Sequence, residues 1–391
     1  MHTSVDAHAA HVRSLLVFDL GSESIPLEAA LGRTTARTTT SPVDLPLFRN
    51  SQMDGFAVRA LDLEVSTTLP IVGEISARAA APEPLVPGTT VRIMTGAVVP
   101  PGADAIVPVE DATVTGDFVT IARARRSGEY VRDRGSDVFV GDDLVLGGQC
   151  LAARHLAVLA ATGLAEVEVV RRVRVAVITT GSEVRPPGTE VVPGQVYDAN
   201  QVALVAAAHA TGARVTLIRH VDDEPAQLLA VLDEAVGVAD VILTSGGISK
   251  GDYEVVRELL EPRGAKVEHL AMQPGGPQAT AVFEGVPVIC FPGNPVSTQL
   301  SFEAFVAPIL REHAGLPARR EGFRTLTSKL TSVSGKRQFL RARLGENDTV
   351  EVSSGPGSHL VAGLAAADAL VVVPEAVTSL AAGEMVEVWE L

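Results

Sequence analysis

Between residues 173 and 313, apolar runs alternate with amphipathic runs, and most of the apolar runs end in a glycine-containing turn. The first apolar run, Val173–Thr179, is mostly β-branched, which is typical of a strand that is covered on both faces. The amphipathic runs have the spacing of helices. This alternation predicts an α/β domain built on a parallel sheet.

The same spacing predicts strands over residues 173–179, 215–218, 239–244 and 286–291. It predicts helices from Asp198 or Asn200 to Gly212, over 225–236, through Val256 and Leu260, and over 297–311, with Pro295 in the first turn. Ligands of open parallel sheets bind where turns gather at the carboxyl ends of the strands. We therefore expect Glu183 and Asp252 to lie on one edge.

The flanking segments have a different pattern. Residues 4–16 have helical spacing, residues 25–30 suggest a short helix, and 151–163 suggest another. Residues 41–140 carry short alternating strands and many turn residues, which indicates a β-rich module. After residue 317, a second β module is predicted, with strands over 324–330, 338–344, 350–352, 369–373 and 385–389.

The composition limits the function classes. A net charge of −15 argues against a nucleic-acid groove and against docking on anionic lipid, so small molecules are the expected partners. Cys150 and Cys290 form no metal or disulfide motif, which favours a reducing cytoplasm. The amino terminus lacks the pattern of a secretory signal. The longest charge-free stretch, 285–302, contains three prolines and is a poor membrane span.

Several motifs are weak when each is taken alone. Asp54–Gly55 is most often a simple turn, and the charged segment 132–137 is most often a solvated hairpin tip. Arg341 and the turn 354–359 offer a guanidinium, hydroxyls and free N–H groups, which suit an oxyanion. No P-loop, dinucleotide-binding glycine motif or nucleophile triad is present.

Taken in order, six motifs form a recognisable set: Met53-Asp54-Gly55, Met94-Thr95-Gly96, Arg134-Gly135-Ser136-Asp137, Thr180-Gly181-Ser182-Glu183, Ser245-Gly246-Gly247-Ile248-Ser249 and Pro292-Gly293-Asn294-Pro295-Val296-Ser297. This set resembles the molybdopterin molybdenumtransferase family, of the MoeA and gephyrin E-domain type. The resemblance covers essentially the whole chain, and the combination is specific.

The resemblance implies an elongated homodimer with several regions in each subunit. These are lead-in helices and part of a linking region over 1–40, a β-rich arm over 41–140, the rest of the linking region over 141–170, a molybdopterin-binding α/β domain over 171–316 and a carboxy-terminal β-barrel over 317–391. The implied reaction inserts molybdate into adenylylated molybdopterin and releases AMP, assisted by Mg²⁺. Transfer of the product to molybdoenzymes would follow.

The resemblance also assigns roles to residues. Glu183 and Asp252 match carboxylates that hold Mg²⁺, and hard oxygen ligands suit this ion. Asp54, Thr95 and Asp137 match arm positions that complete the partner subunit's site. The remaining positions match substrate-binding residues: Ser245, Gly246 and Gly247 for the nucleotide, Asp222 or Asp223 as a further acid, Arg341 and Ser358 for molybdate, and Pro292, Gly293, Asn294, Pro295 and Ser297 on the facing wall.

One departure from the family pattern concerns charge. Family members usually carry Lys in a Lys-Pro-Gly motif where this chain has Gln273, and a second Lys often stands where it has Gly276. Loss of a cation that faces an oxyanion costs about 1.5 to 3 kcal/mol if the bond was charge-assisted. Lys250, in the turn that also carries Asp252, is a candidate replacement.

Two alternative functions remain open at this point. One is a catalytically weakened relative that binds molybdopterin or molybdate and serves as a scaffold for cofactor transfer. The other is an enzyme that uses the same α/β domain on a different nucleotide, such as a pyrophosphatase-like or deamidase-linked relative. The β-rich arm and the barrel argue against the second alternative, because a nucleotide hydrolase needs neither.

The Lys250 hypothesis makes a direct prediction. If Lys250 replaces the missing cation, Lys250→Met should weaken apparent molybdate affinity about tenfold to a hundredfold, because a charge-assisted contact is lost. Titration of the purified variant with molybdate measures this, and unchanged affinity would exclude the compensation by Lys250.

Overall fold

The structure is a computed structural model, and it describes residues 2–79, 81–248 and 254–391. Prolines, cap residues and apolar spacing set the helix ends. Within the described residues the α-helices are α1 Val5–Leu15, α2 Asp62–Val65, α3 Ala153–Ala161, α4 Ala199–Ala210, α5 Pro225–Val236, α6 Val255–Leu260, α7 Pro295–Ser301, α8 Ala307–His313 and α9 Val361–Ala365.

Strands are more numerous than helices, and most are short. They are β1 Ser22–Pro26, β2 Thr39–Thr40, β3 Asn50–Ser51, β4 Gly55–Val58, β5 Thr68–Ile75, β6 Thr90–Ile93, β7 Ala105–Pro108, β8 Ala112–Thr115, β9 Phe118–Ile121, β10 Val131–Arg132, β11 Asp143–Val145, β12 Glu166–Val170, β13 Arg174–Thr180, β14 Val184–Arg185, β15 Val196–Tyr197, β16 Arg214–Val221, β17 Val241–Ser245, β18 Lys266–His269, β19 Met272–Gln273, β20 Pro277–Phe283, β21 Val286–Phe291, β22 Glu321–Leu326, β23 Leu330–Thr331, β24 Arg337–Leu344, β25 Thr349–Val352, β26 Ala369–Val373, β27 Ser379–Leu380 and β28 Met385–Glu390.

The chain divides into two compact units. The first comprises residues 1–23, 32–34 and 169–391, and the second comprises 24–31 and 35–168. The second unit contains a six-stranded sheet in the order β7-β4-β6-β5-β9-β8. Its core includes Phe56, Val107 and Val119, each at most 1% exposed. The β-rich character expected from the turn residues is therefore present.

The α/β sheet of the first unit has the order β16-β13-β17-β21-β20-β18. The first four strands are parallel, as predicted, whereas β20 and β18 run antiparallel to their neighbours. β13 and β17 are buried along almost their whole length, because separate apolar clusters cover the two faces of the sheet. The sheet is therefore mixed, and the prediction of a wholly parallel sheet was incomplete.

Helix α4 begins at one of the two predicted cap residues. Asp198 is the N-cap, and its Oδ1 accepts a hydrogen bond from the Gln201 N–H at 2.9 Å. Asn200 lies inside the helix, which frees its side chain for other contacts. The Asp198 side chain therefore satisfies one backbone donor of the first turn.

A continuous helical run extends from Pro295 to His313, and its middle part, Phe302–Val306, is π-helical. Pro295 occupies the first turn, as predicted, where a missing N–H breaks no hydrogen bond. Phe302 and Phe305 are buried in the same apolar cluster as Val12 of α1. The amino-terminal helix is thereby packed on the α/β domain.

The carboxy-terminal strands form a closed barrel. They pair in the order β24-β25-β22-β28-β26, and β24 also pairs with β26, which closes the ring. Phe339 and Leu370 of the barrel belong to the same apolar cluster as Phe291 of the α/β sheet. The predicted fold class, an α/β domain combined with a β-rich module and a carboxy-terminal barrel, is confirmed.

One local prediction was wrong. Residues 25 and 26 end strand β1, and a single 3₁₀ turn, Leu27–Ala29, replaces the predicted short helix. Pro26 adopts φ −57° and ψ 146°, which is an extended conformation that ends the strand. Over residues 2–79, 81–248 and 254–391, no helix is both long and apolar enough to cross a membrane.

Gly55 is the first residue of strand β4, and close packing against a neighbouring strand requires a glycine there. A Cβ at this position would lie 2.0 Å from the Val107 carbonyl oxygen of the neighbouring strand. Gly55→Ala should therefore lower the free energy of unfolding by at least about 2 kcal/mol, because the two strands must separate. Urea denaturation followed by circular dichroism measures the change.

Gly73→Ala is the matched control for Gly55→Ala. Gly73 also lies in a strand of the second unit, and its nearest neighbour would be 4.0 Å from an added Cβ. We expect this control to change the free energy of unfolding by no more than about 1 kcal/mol. Equal effects of the two substitutions would contradict the packing argument.

Candidate functional site

A cleft of about 1060 Å³ opens at the carboxyl ends of the parallel strands in the first unit. Its lining comes from the turns after β13, β17 and β21, from the start of α4 and from the barrel. The predicted residues that line it are Glu183, Asp223, Ser245, Gly246, Gly247, Gln273, Pro292, Gly293, Asn294, Pro295, Ser297 and Ser358. Separate segments of the chain therefore bring most of the predicted substrate-binding residues to one cleft.

The floor of the cleft is held by a hydrogen-bond network around Ser245. The Ser245 Oγ accepts a bond from Asn200 Nδ2 at 2.9 Å and lies 3.1 Å from Thr298 Oγ1. Asn200 Nδ2 also donates to the Gly293 carbonyl at 2.7 Å. Ser245 is only 2% exposed. Its hydroxyl therefore joins the ends of two strands to helix α4.

Gly246 allows two backbone segments to approach each other closely. It has φ +98°, and a Cβ there would lie 2.7 Å from Thr180 Oγ1 and 2.8 Å from the Thr180 carbonyl oxygen. A Cβ at Gly293 would likewise lie 3.4 Å from the Gly246 Cα. A side chain at Gly246 would push the two segments apart, whereas a Cβ at Gly293 would make an ordinary van der Waals contact.

The acidic edge of the cleft is formed by Glu183 and Asp223. Asp223 Oδ2 accepts a bond from the Ser182 N–H at 2.9 Å, and Ser182 Oγ accepts one from the Asp223 N–H at 3.2 Å. Asp222 does not line the cleft. Of the two aspartates left open by the sequence, Asp223 is therefore the one placed at the site.

The edge offers oxygen donors that suit a hard cation such as Mg²⁺. Glu183 is exposed, and its carboxylate makes no ion pair with any residue in the described ranges. Those ranges contain no cluster of three or more His, Cys, Asp or Glu side chains arranged to hold a metal ion. Asp252 and Lys250, both singled out by the sequence, lie outside the described residues.

The barrel supplies the wall opposite the acidic edge. β19 pairs with β24, which places Gln273 beside Gln338, and Gln273 Oε1 accepts a bond from Gln338 Nε2 at 2.5 Å. A Cβ at Gly276 would lie 2.8 Å from His269 Nε2. The second departure from the family pattern therefore leaves no room for a side chain unless His269 moves.

Arg341 differs from its predicted surroundings. It is fully buried, and its Nη2 donates to the carbonyls of Gly355 and, at 3.1 Å, Gly357. Arg341 therefore lies behind the turn that carries Ser358 and is absent from the cleft lining. Its Nε and Nη1 have no hydrogen-bond partner in the described part of the chain, and burial lowers the pKa of the guanidinium. Its role in oxyanion binding stays a prediction.

The turn that carries Ser358 is also tied to the facing wall. The Ser358 carbonyl accepts a bond from the Val296 N–H at 3.1 Å. Val296 is buried in the first turn of the helix that starts at Pro295. The barrel turn and the helix start therefore hold each other in position at this side of the cleft.

Sequence reasoning missed several residues of the cleft. Asn200 Oδ1 and Thr180 Oγ1 are buried and have no partner among the described residues. Thr179 Oγ1 donates to Asp198 Oδ2 at 2.5 Å and lies 3.1 Å from His220 Nδ1. The signal for Asn200 was its position next to a helix start, which by itself predicts a cap and not a binding group.

The second unit holds the predicted arm residues. Asp54 Oδ1 accepts bonds from the Thr95 N–H at 2.6 Å and from Thr95 Oγ1 at 2.8 Å. These bonds, the backbone one first, lower the pKa of the Asp54 carboxyl. Asp137 lies in a separate turn, where its N–H donates to the Leu45 carbonyl at 3.0 Å. The structure thus brings together Asp54 and Thr95 but not Asp137.

The fold and the cleft define a class: a multidomain α/β protein with a large polar small-molecule cleft at the carboxyl ends of its strands. Three family models match the chain. They are the MoeA N-terminal region (domain I and II) over residues 3–163, a probable molybdopterin binding domain over 176–312, and the MoeA C-terminal region (domain IV) over 324–391.

Individual relatives give the same result. The chain is 42% identical to molybdopterin molybdenumtransferase 2 of Mycobacterium tuberculosis over 94% of this chain and 95% of the relative. It is 35% identical to the molybdopterin molybdenumtransferase of Nostoc, over 95% and 89%. A molybdopterin biosynthesis MoeA structure from Pyrococcus horikoshii matches with a TM-score of 0.83, 34% identity and coverage of 100% and 99%. The chain belongs to the molybdopterin molybdenumtransferase (MoeA) family, as the sequence predicted.

The contact between Thr95 and Asp54 makes a prediction about pH. Because the two bonds favour the ionised carboxylate, Thr95→Val should raise the pKa of Asp54 toward its ordinary value, although the backbone bond keeps part of the effect. A carbon-13 NMR titration of the aspartate carboxyl groups measures this. Thr115→Val, an exposed strand residue of the same unit, should leave the Asp54 titration unchanged. An unaltered Asp54 titration in Thr95→Val would contradict the assignment.

Proposed function

We propose that the chain is a molybdopterin molybdenumtransferase. It takes adenylylated molybdopterin and molybdate, inserts the metal into the dithiolene and releases AMP. Membership of the family supports this assignment. The structural observation that carries it is that one cleft is lined both by Glu183 and Asp223, which follow strands of the α/β sheet, and by Gln273 and Ser358. Such a cleft can hold two anionic substrates at once.

The residues of the floor would orient the nucleotide. Gly246 and Gly247 let the turn after β17 pack closely against Thr180 at the cleft, and the Oδ1 of Asn200, which has no partner among the described residues, can accept a hydrogen bond. The buried Ser245 acts through Asn200 and Thr298 and holds the floor rigid. Rigid placement of both substrates lowers the entropic part of the barrier.

Glu183 and Asp252 would hold Mg²⁺ at the acidic edge, with Asp223 nearby. When bound, the ion neutralises charge on the phosphate and stabilises the AMP leaving group. Asp223 accepts a hydrogen bond from the Ser182 N–H. This bond restrains the turn that carries Glu183.

The arm residues enter the proposal through a second subunit. Asp54 and Thr95 form an exposed, ionised hydrogen-bonded pair, and Asp137 is also exposed. In a homodimer these three residues would complete the site of the partner subunit. The exposure of Asp54 supports such a role, since its carboxylate makes no ion pair within residues 2–79, 81–248 and 254–391 and so remains available to a substrate or a metal ion.

We also place the enzyme in the cytoplasm, where product would pass to molybdoenzymes. The two cysteines support this assignment, because Cys150 and Cys290 are both free in the structure. Cys290 is fully buried and burial raises the pKa of its thiol to about 12, which keeps it protonated and inert.

The proposal predicts loss of turnover when the metal carboxylates are removed. Glu183→Gln and Asp252→Asn should each lower kcat/KM for AMP release at least about a hundredfold, because each loses a charged metal ligand while keeping its size. Release of AMP and insertion of molybdenum are measured together with adenylylated molybdopterin, molybdate and varied Mg²⁺. A wild-type chain that binds these substrates without AMP release would be a scaffold instead.

Glu190→Gln is the matched control for Glu183→Gln. Glu190 is an exposed glutamate in the same loop region, and it does not line the cleft. We expect its kcat/KM to match the wild-type value. If Glu183→Gln keeps both turnover and Mg²⁺ dependence, the proposed metal role is wrong.

A further inference from the structure

The cleft is strongly acidic for a site that must take anions. Its lining includes the carboxylates Glu183, Asp198, Asp223 and Glu254, whereas Lys336 is the sole Lys or Arg among the described residues that line it. The chain as a whole carries a net charge of −15. An oxyanion that leaves water for such a site needs a nearby positive charge or strong hydrogen-bond donors.

Lys336 lies immediately before strand β24, next to the pairing of β24 with β19. In this pairing Arg337 is opposite Met272, and Gln338 is opposite Gln273. The Arg337 N–H donates to the Ala271 carbonyl at 2.8 Å, which fixes the start of the strand. Lys336 and Gln273 both line the cleft. The ammonium group is thus carried on the segment that borders the position of the missing family lysine.

The arginines of strand β24, Arg337, Arg341 and Arg343, do not line the cleft. Arg337 donates to both oxygens of Asp6, at 2.7 and 2.9 Å, and its Nε lies 3.3 Å from Glu375. Arg341 is fully buried against the carbonyls of Gly355 and Gly357. Lys336 makes no ion pair with a carboxylate in the described ranges, and it is only partly buried. Its charge is therefore available to a ligand.

Gln273 cannot supply this charge. Its Oε1 is engaged by Gln338, which leaves its amide N–H groups as neutral donors. Gly276 adds no side chain, and a Cβ there would meet His269. Gln273 and Gly276 are neutral, so among the described residues that line the cleft the Lys336 ammonium group supplies the positive charge near them.

We propose that Lys336 binds the tetrahedral oxyanion that enters the cleft beside Gln273, and so supplies the positive charge that Gln273 and Gly276 lack. The oxyanion is molybdate or a phosphate group of the nucleotide substrate, which are both tetrahedral anions. This inference rests on the proposed function, since it assigns a binding residue to the same cleft. Lys336 is a substrate-binding residue and not a proton donor in this proposal.

The test is titration calorimetry of the full chain with molybdate alone and, separately, with AMP alone. Lys336→Met should weaken binding of the oxyanion it contacts about tenfold to a hundredfold, and Lys336→Arg should retain most of it. Weaker molybdate binding places Lys336 at the oxometalate, and weaker AMP binding places it at the phosphate. Both results support the proposal.

Lys329→Met is the matched control. The chain has four lysines, and Lys329 is an exposed residue of the barrel region that does not line the cleft. Lys329→Met removes the same unit of positive charge, so an effect of the more negative net charge alone would appear equally in both variants. Circular dichroism of each variant confirms that the fold is retained.

Unchanged affinity of Lys336→Met for both probes would overturn the inference, as would equal losses in Lys336→Met and Lys329→Met. Wild-type protein that binds neither probe would overturn it too. These outcomes differ from failure of the proposed function, which is judged by AMP release and molybdenum insertion in the wild-type chain. If the wild-type chain shows normal turnover and Lys336→Met leaves the affinity for both probes unchanged, this inference fails and the proposed function stands.

Discussion

The site depends on the joint where the ends of β17 and β21 meet the first turn of α4. Ser245 lies at this joint with its hydroxyl bonded to Asn200 and adjacent to Thr298, and Asn200 also bonds the Gly293 carbonyl. Ser245 and Thr298 are buried, so loss of the bond between their hydroxyls would cost about 1 to 3 kcal/mol. The network therefore links the turns after β17 and β21 to the start of α4, and these three segments line the cleft.

Charge distribution explains how an acidic protein can present an anion site. Many basic residues pair with local carboxylates, as with Arg174 and Asp240 at 2.7 Å and Arg337 and Asp6 at the same distance. Exposed pairs of this kind add little stability, but they neutralise charge at long range. At the cleft, negative and positive charges lie on different segments. Carboxylates follow the strand ends, and Lys336 carries its ammonium group just before barrel strand β24. This separation can orient a ligand that carries both a metal ion and a free oxyanion.

Much of the fold followed from the sequence because periodicity reports burial. The strands over 174–180 and 241–245 are buried on both faces and therefore appear as apolar runs. The antiparallel strands β18 and β20 were not predicted. Residues 266–269 alternate weakly, and their pairing with 277–280 depends on a turn whose geometry no periodicity encodes. At residues 25–30, apolar spacing predicted a helix. The structure has the end of strand β1 and a 3₁₀ turn there, because Pro26 is extended and β1 pairs with β12.

The sequence by itself determined the chemical groups of the site and the edge on which most of them lie, since parallel strands bring their carboxyl ends together. Only the tertiary structure shows that Asp223 and not Asp222 lines the cleft, that Arg341 is buried behind the turn that carries Ser358, and that Asn200 and Lys336 are part of the lining. The physical reason is that side-chain direction and pairing depend on contacts between residues far apart in the chain. Gly293 lies 93 positions from Asn200, and Arg337 lies 331 positions from Asp6. Local sequence specifies an element, whereas only packing specifies which of its side chains remain free.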